Sequence, residues 1–122
     1  MILVDTSIWA RHLRAADAAL SQALLSFQVV THDFVIGELA LGALNPRAAL
    51  IDFLSSLPRL VKAHENEVLN MIEARQLSGS GVGYVDAHLL ASLLLSPGVR
   101  LWSADRRLAE AASRLGVPVF AR

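Results

Sequence analysis

The 122-residue chain has no cysteine, a single lysine and no net charge. Without cysteine there is no disulfide framework, no thiolate nucleophile and no zinc site built on sulfur. Eleven basic residues balance eleven acidic ones, so no general field draws in nucleic acid, and an anionic partner would need a local patch or a bound cation. Long apolar runs are also missing. Leu89 to Leu95 is interrupted at Ser92 and closed by Ser96-Pro97-Gly98, short of the ~18 residues that a membrane span requires. No charged leader precedes the first apolar stretch at Ile2, which sets the expectation of a cytoplasmic protein.

What is present is apolar and rich in arginine. The hydrophobic fraction of 54% asks for buried helices, or for apolar surface covered by a partner. Ten of the eleven basic residues are arginine, which suits bidentate contact with phosphate or carboxylate. The length fits one domain over residues 1–122 with an ordinary core.

The chain is organised around its first stretch. Ile2-Leu3-Val4 reads as a buried strand ending at Asp5-Thr6-Ser7, and the carboxyl end of such a strand is where ligands bind in open α/β sheets. Two short helices follow within Ala10 to Phe27, broken near Asp17, a candidate N-cap. Gln28 to Thr31 reads as a second strand and His32 to Leu44 as a helix. Within that helix, positions three and four from Glu38 are Phe34, Val35, Leu41 and Gly42, which places Glu38 on the apolar stripe. Gly37 and Gly42 suggest close approach by another element or by substrate.

Pro46 opens the next helix as its first residue, with Ala49, Leu50, Phe53, Leu54 and Leu57 as its buried face. Leu60 to Lys62 is a candidate third strand, followed by a helix from about His64 to Leu77. Ser78 to Gly83 is a glycine-rich connection that lacks the Gly-Lys-Ser/Thr of a P-loop. Tyr84 to Leu95 is the most apolar helix, with Asp86 in its first turn on the face of Leu89, Leu90 and Leu93. Here His88 is structural or at the rim. Val99 to Trp102 is a further strand closed by Ser103-Ala104-Asp105, and a helix to about Leu115 and a strand over Val117 to Phe120 complete the chain. Short apolar strands alternating with helices predict an α/β fold with a parallel sheet covered on both faces.

Asp5, Glu38, Asp86 and Asp105 each have a local explanation as a cap or a stripe-edge residue, but four separate explanations are then needed. If the strands of Asp5 and Asp105 are neighbours, all four acids can converge at one sheet edge. At about 5 Å and an effective dielectric near 20, each like-charge pair costs about 3 kcal/mol, so the cluster calls for a cation. Oxygen donors alone select Mg²⁺ or Mn²⁺. Such an ion can bind a phosphodiester oxygen and acidify its own water, giving in-line hydrolysis with no side-chain nucleophile. Thr6, Ser7 and Ser103 are candidates for hydrogen-bonding support of water, metal or phosphate. Arg106 and Arg107 are candidate phosphate contacts.

Val-Asp-Thr-Ser, Val-Ile-Gly-Glu-Leu, Tyr-Val-Asp-Ala-His-Leu-Leu-Ala-Ser and Leu-Trp-Ser-Ala-Asp-Arg-Arg-Leu, in this order, resemble the PIN-domain ribonucleases and more narrowly the VapC toxins of toxin–antitoxin pairs. The resemblance covers the whole chain. It implies a three-layer α/β/α sandwich with a five-stranded parallel sheet and a Mg²⁺- or Mn²⁺-dependent endoribonuclease that hydrolyses RNA. It also implies a homodimer and a VapB-like antitoxin lying across the active-site groove. Asp5, Glu38, Asp86 and Asp105 match the family's acidic quartet. Ser103 stands where many members carry Thr.

Three other readings compete. A receiver-type signalling domain shares the length and the alternation, but it needs paired acids after the first strand and a lysine at a later strand end. Here Asp5 stands alone and the one lysine is Lys62. A non-catalytic RNA- or partner-binding module would not need all four acids. A nuclease of the same fold acting on another nucleic acid is compatible with every residue above.

Overall fold

The computed structural model describes residues 1–121. In chain order the elements are β1 (Ile2–Val4), α1 (Thr6–Arg14), α2 (Ala18–Leu25), β2 (Val29–Val30), α3 (Asp33–Ala40), α4 (Arg47–Ser56), α5 (Glu65–Ala74), α6 (Tyr84–Leu94), β3 (Arg100–Trp102) and α7 (Arg106–Arg114). The sheet is parallel, in the order β2-β1-β3. Leu3 pairs with Val30 on one side and with Leu101 on the other. Successive strand side chains point to opposite faces, yet Ile2, Leu3 and Val4 are all buried, so the sheet is covered on both. A chain end of three apolar, mostly β-branched residues suits such a central strand.

Five strands are expected from the sequence and three are found among the described residues. The two outer segments each make a single parallel bridge, Thr31 to Arg59 beyond β2 and Leu101 to Val119 beyond β3. The Thr31 N–H donates to the Pro58 carbonyl at 2.8 Å and Leu60 returns a bond to the Thr31 carbonyl at 2.9 Å. On the other side Leu101 donates to the Pro118 carbonyl at 2.9 Å and Phe120 to the Leu101 carbonyl at 2.7 Å. Pro58 just precedes the Leu60–Lys62 segment, so that its bridge falls at Arg59, and Pro118 lies within Val117–Phe120; proline has no N–H to extend a ladder. The Leu60–Lys62 and Val117–Phe120 strands are therefore reduced to one bridge each.

The helices follow their local signals. Asp17 caps α2 by accepting from Ala19 at 2.9 Å and Leu20 at 3.1 Å. The α5 start is closed by Glu67, which accepts from the His64 N–H at 2.9 Å. α7 stops at Gly116, whose φ of 81° is open to glycine without strain. Pro46 is the N-cap of α4 rather than its first turn. In α4 only Leu54 is buried, while Leu50 and Leu57 are half-buried and Ala49 and Phe53 exposed. α4 packs chiefly on α3, so one stripe suffices and the rest of the expected face stays open. Nothing approaches Gly37, and the Gly42 neighbour is the Leu39 carbonyl of the preceding turn. Close approach by another element is therefore absent at both glycines, and Gly37 instead opens onto a surface groove. α6 is the central helix, buried without interruption from Ala87 to Leu93. Within it, Ser92 meets His32 Nε2 at 3.0 Å, while His32 Nδ1 accepts from the Phe34 N–H at 3.0 Å. Burial, its largest influence, depresses the His32 pKa. No helix among the described residues is long and apolar enough to cross a membrane.

Candidate active site

The carboxyl ends of the adjacent strands β1 and β3 set the site. Asp5 follows β1, and its N–H still donates to the Trp102 carbonyl of β3 at 2.9 Å, so the two strand ends are tied side by side. Asp5 is only 5% exposed, and a carboxylate so placed must have partners. Its Oδ1 accepts from the Thr6 N–H at 2.7 Å, which makes it the N-cap of α1. Its Oδ2 accepts from Ser7 Oγ at 3.0 Å and from Ser103 Oγ at 2.7 Å.

The two serines are themselves held by the loop after β3. Ser7 Oγ accepts from the Ala104 N–H and Ser103 Oγ from the Asp105 N–H, both at 3.0 Å. Each hydroxyl spends its one proton on Asp5 and a lone pair on the backbone. The result is a continuous hydrogen-bonded path from Asp105 through Ser103 to Asp5, across 98 positions of sequence between Asp5 and Ser103. Thr6 Oγ1 donates to Glu38 Oε1 at 2.8 Å, which ties α3 to the same edge. The three hydroxyls expected to support the site thus orient carboxylates.

Glu38 is exposed rather than set on a buried stripe, because its helix buries Val35 and Leu39 and turns Glu38 toward the edge. Asp105 is exposed and caps α7, its Oδ1 accepting from Arg107 at 2.9 Å and Leu108 at 3.3 Å. Both local explanations, capping by Asp5 and by Asp105, are therefore true of the structure and do not remove either residue from the edge.

Asp86 completes the group. Its carboxyl is pushed up to about 6, first by burial and then by the charges of Asp5, Asp105 and Glu38, against an opposing hydrogen bond from Gly83. Coulombic influence from all three other acids on one carboxyl means that the four share a neighbourhood. Both ion pairs among the described residues use Asp33, so none of the four has a protein cation within pairing distance.

The donor set, hard oxygens with accumulated negative charge, fits a divalent cation of the Mg²⁺ class. Its present side-chain geometry is open, for no three Asp, Glu or His side chains among the described residues are arranged to hold one ion. Asp105 and Glu38 each give one carboxylate oxygen to a protein hydrogen bond.

Arg106 and Arg107 are exposed just beyond Asp105. Arg107 lies along the backbone of Gly81, where an added Cβ would fall 2.7 Å from its Cδ. His88 is buried between the rings of Phe34 and Tyr84, at 4.8 and 4.6 Å between centroids, in a structural place. Asp33, paired with Arg59 and Lys62 at 3.1 Å each, escapes sequence reasoning because both partners lie a helix away. A groove of about 940 Å³ runs from Asp33 and Lys62 past Phe34 and Tyr84 to Glu38.

The chain is 46% identical over 117 residues to Ribonuclease VapC32 from two strains of Mycobacterium tuberculosis, CDC 1551 / Oshkosh and ATCC 25618 / H37Rv. The matched region covers 96% of this chain and 94% of each relative. The PIN domain family profile matches residues 2–114, a span that holds all four acids, and the chain belongs to the PIN domain family.

Proposed function

We propose that this chain is a metal-dependent endoribonuclease, the toxin of a toxin–antitoxin pair, working as one PIN domain over residues 1–122. The observation that carries the proposal is the gathering of four acids at the β1 and β3 strand ends, tied together through Ser103 and Thr6 and with no ion-pair partner among the described residues, a crowding that also raises the pKa of Asp86. A centre of that kind favours binding positive charge. Asp5, Glu38, Asp86 and Asp105 would hold Mg²⁺ or Mn²⁺, which when bound supplies a Lewis acid for the phosphodiester and a water of lowered pKa.

The chain's own residues do the positioning. Thr6 N–H, Ser7 and Ser103 fix both Asp5 oxygens, so that residue enters the reaction with its orientation already set. Glu38 is held by one oxygen only and keeps the other for ligand or water. With water as nucleophile no serine or threonine of the site is required in that role, and the three hydroxyls serve to orient carboxylates. The reaction is hydrolysis of an RNA phosphodiester, with water as nucleophile.

The partners follow from the same surface. A VapB-like antitoxin would cover the groove beside Glu38, where Leu41 is 89% and Tyr84 52% exposed. An antitoxin arginine entering the acidic edge would supply the missing positive charge, and replacing it would relieve inhibition. The working form is a homodimer, and its place is the cytoplasm. Incubation of the purified chain with RNA and Mg²⁺ or Mn²⁺ tests the function. Cleavage abolished by chelation and by Asp5→Asn supports it, and chelator-resistant cleavage or none at all counts against it.

A further inference from the structure

A second, polar cleft lies along α7, the helix that Asp105 caps, and shares no lining residue with the groove described above. It measures about 370 Å³ and is walled by the glycine-rich connection between α5 and α6 on one side and by α7 on the other. Ser78, Gly79 and Ser80 face Arg107, Glu110 and Arg114 across it. Arg107 and Arg114 are seven residues apart, two helical turns, which puts both guanidinium groups on one face of α7. Neither has a carboxylate within pairing distance among the described residues. Arg114 reaches only the Gln76 carbonyl, at 3.4 Å.

The connection is shaped around Arg107. Gly81 has a φ of 86°, and a side chain there would meet Arg107 Cδ at 2.7 Å, Nη1 at 3.0 Å and Nε at 3.1 Å. An arginine laid flat along a glycine backbone, with no acid to hold it, keeps its five donors for something else. The cleft also joins the two segments that carry the site. The connection leads into the first turn of α6 and Asp86, while Arg107 donates its N–H to Asp105 at 2.9 Å.

We infer that this cleft seats a backbone phosphate of the RNA substrate, gripped by Arg107 and Arg114 with Ser78 and Ser80 as neutral donors, one or more nucleotides from the bond that is cut. The inference rests on the ribonuclease reading and adds to it the direction in which the strand leaves the acidic edge. Two arginines against Glu110 leave the cleft net positive, in contrast to the acid-rich edge beside it. Phosphate contact of this kind positions the strand and reads no sequence.

Fluorescence anisotropy with a labelled, mixed-sequence single-stranded RNA, in chelator so that no cleavage occurs, measures the seat directly across a salt series. Removing one phosphate contact lowers the slope of log K against log salt by about 0.7 and weakens binding on the order of fivefold near 0.1 M salt. Arg107→Ala and Arg114→Ala should each do this. Glu110→Gln should tighten binding, and Arg107→Lys should keep the slope. Arg11→Ala, an exposed arginine on α1, removes the same charge elsewhere and serves as the control, with thermal melts showing that every variant is folded. Slopes for Arg107→Ala and Arg114→Ala equal to that of Arg11→Ala overturn the seat while leaving the nuclease intact. An Arg107→Lys loss as large as that of Arg107→Ala also overturns it. Wild-type protein that neither binds nor cleaves RNA overturns the ribonuclease reading itself, and the seat with it.

Discussion

Asp33 and Asp86 are the same side chain in the first turn of two helices, and they have been given opposite surroundings. Asp33, just past the end of β2, is held by Arg59 and Lys62 at 3.1 Å each, and the hydrogen bond from Lys62 leads in drawing its pKa down. Asp86 has burial and three acids around it, and is pushed up to about 6. One carboxylate is satisfied by the protein. The other has a backbone hydrogen bond from Gly83 and no ion-pair partner among the described residues. A carboxylate given its own cations is held as structure, and one set among other acids without them favours the approach of an external positive charge.

The largest effect that sharpens this contrast is catalytic. Asp86→Asn and Asp5→Asn should lower RNA cleavage by at least 10²-fold, while Asp33→Asn should leave it within about threefold. Equal losses for Asp33 and Asp86 in a cleavage assay would erase the distinction. Next in size is the support of Asp5. Ser103→Ala removes the 2.7 Å donor to Asp5 and the acceptor for Asp105, and should cost about 10- to 100-fold in activity. Ser103→Thr keeps the hydroxyl and should keep most of the rate.

Stability in metal-free buffer should move the other way. Asp86→Asn removes an unfavourable charge and should stabilise the fold at neutral pH by roughly 1 to 2 kcal/mol once solvent screening is allowed for. Asp33→Asn breaks two exposed pairs and should destabilise by about 0.5 to 1 kcal/mol. Chemical denaturation of the three proteins reads both signs. A stabilised Asp33→Asn, or a destabilised Asp86→Asn, contradicts the comparison.

The smallest effect is in pH. Because the folded pKa of Asp86 lies above its usual 3.8, the native state binds more protons between that value and about 6. This residue therefore favours folding at the acid end of the window, and the benefit is lost as pH rises through about 6. His32 works in the opposite sense. Its depressed pKa costs stability as pH falls below 6.5, where the unfolded histidine protonates first. The difference between wild type and Asp86→Asn isolates the carboxyl, and that difference should grow from pH 4 to pH 7. A flat difference across the window would place Asp86 in ordinary solvent.

Much of this was readable in the sequence because it depends on local pattern. Ile2-Leu3-Val4 before Asp5, Asp17 before Ala18, and the high apolar content of the helix around Leu89 all state their structure within a few residues. The acids were legible as a set because each sits at a strand end or in a helix of the same α/β alternation. What was not legible depends on packing between distant segments. Glu38 has apolar neighbours at helical spacing, yet the stripe it borders is narrower than the spacing suggests, since only Val35 and Leu39 are buried. The outer strands shrink to bridges because Pro58 and Pro118 limit pairing with the sheet. The Ser103 bond to Asp5 and the laying of Arg107 on Gly81 are long-range contacts that no local signal announces. Arg114 could have been found, since it repeats Arg107 two helical turns later.

Titration calorimetry of Mn²⁺ into the metal-free protein tests the central point most directly. The wild type and Asp33→Asn should bind Mn²⁺ alike, and Asp86→Asn and Asp5→Asn should bind it at least tenfold more weakly. Undiminished binding by Asp86→Asn, or no binding by the wild type, would contradict the account.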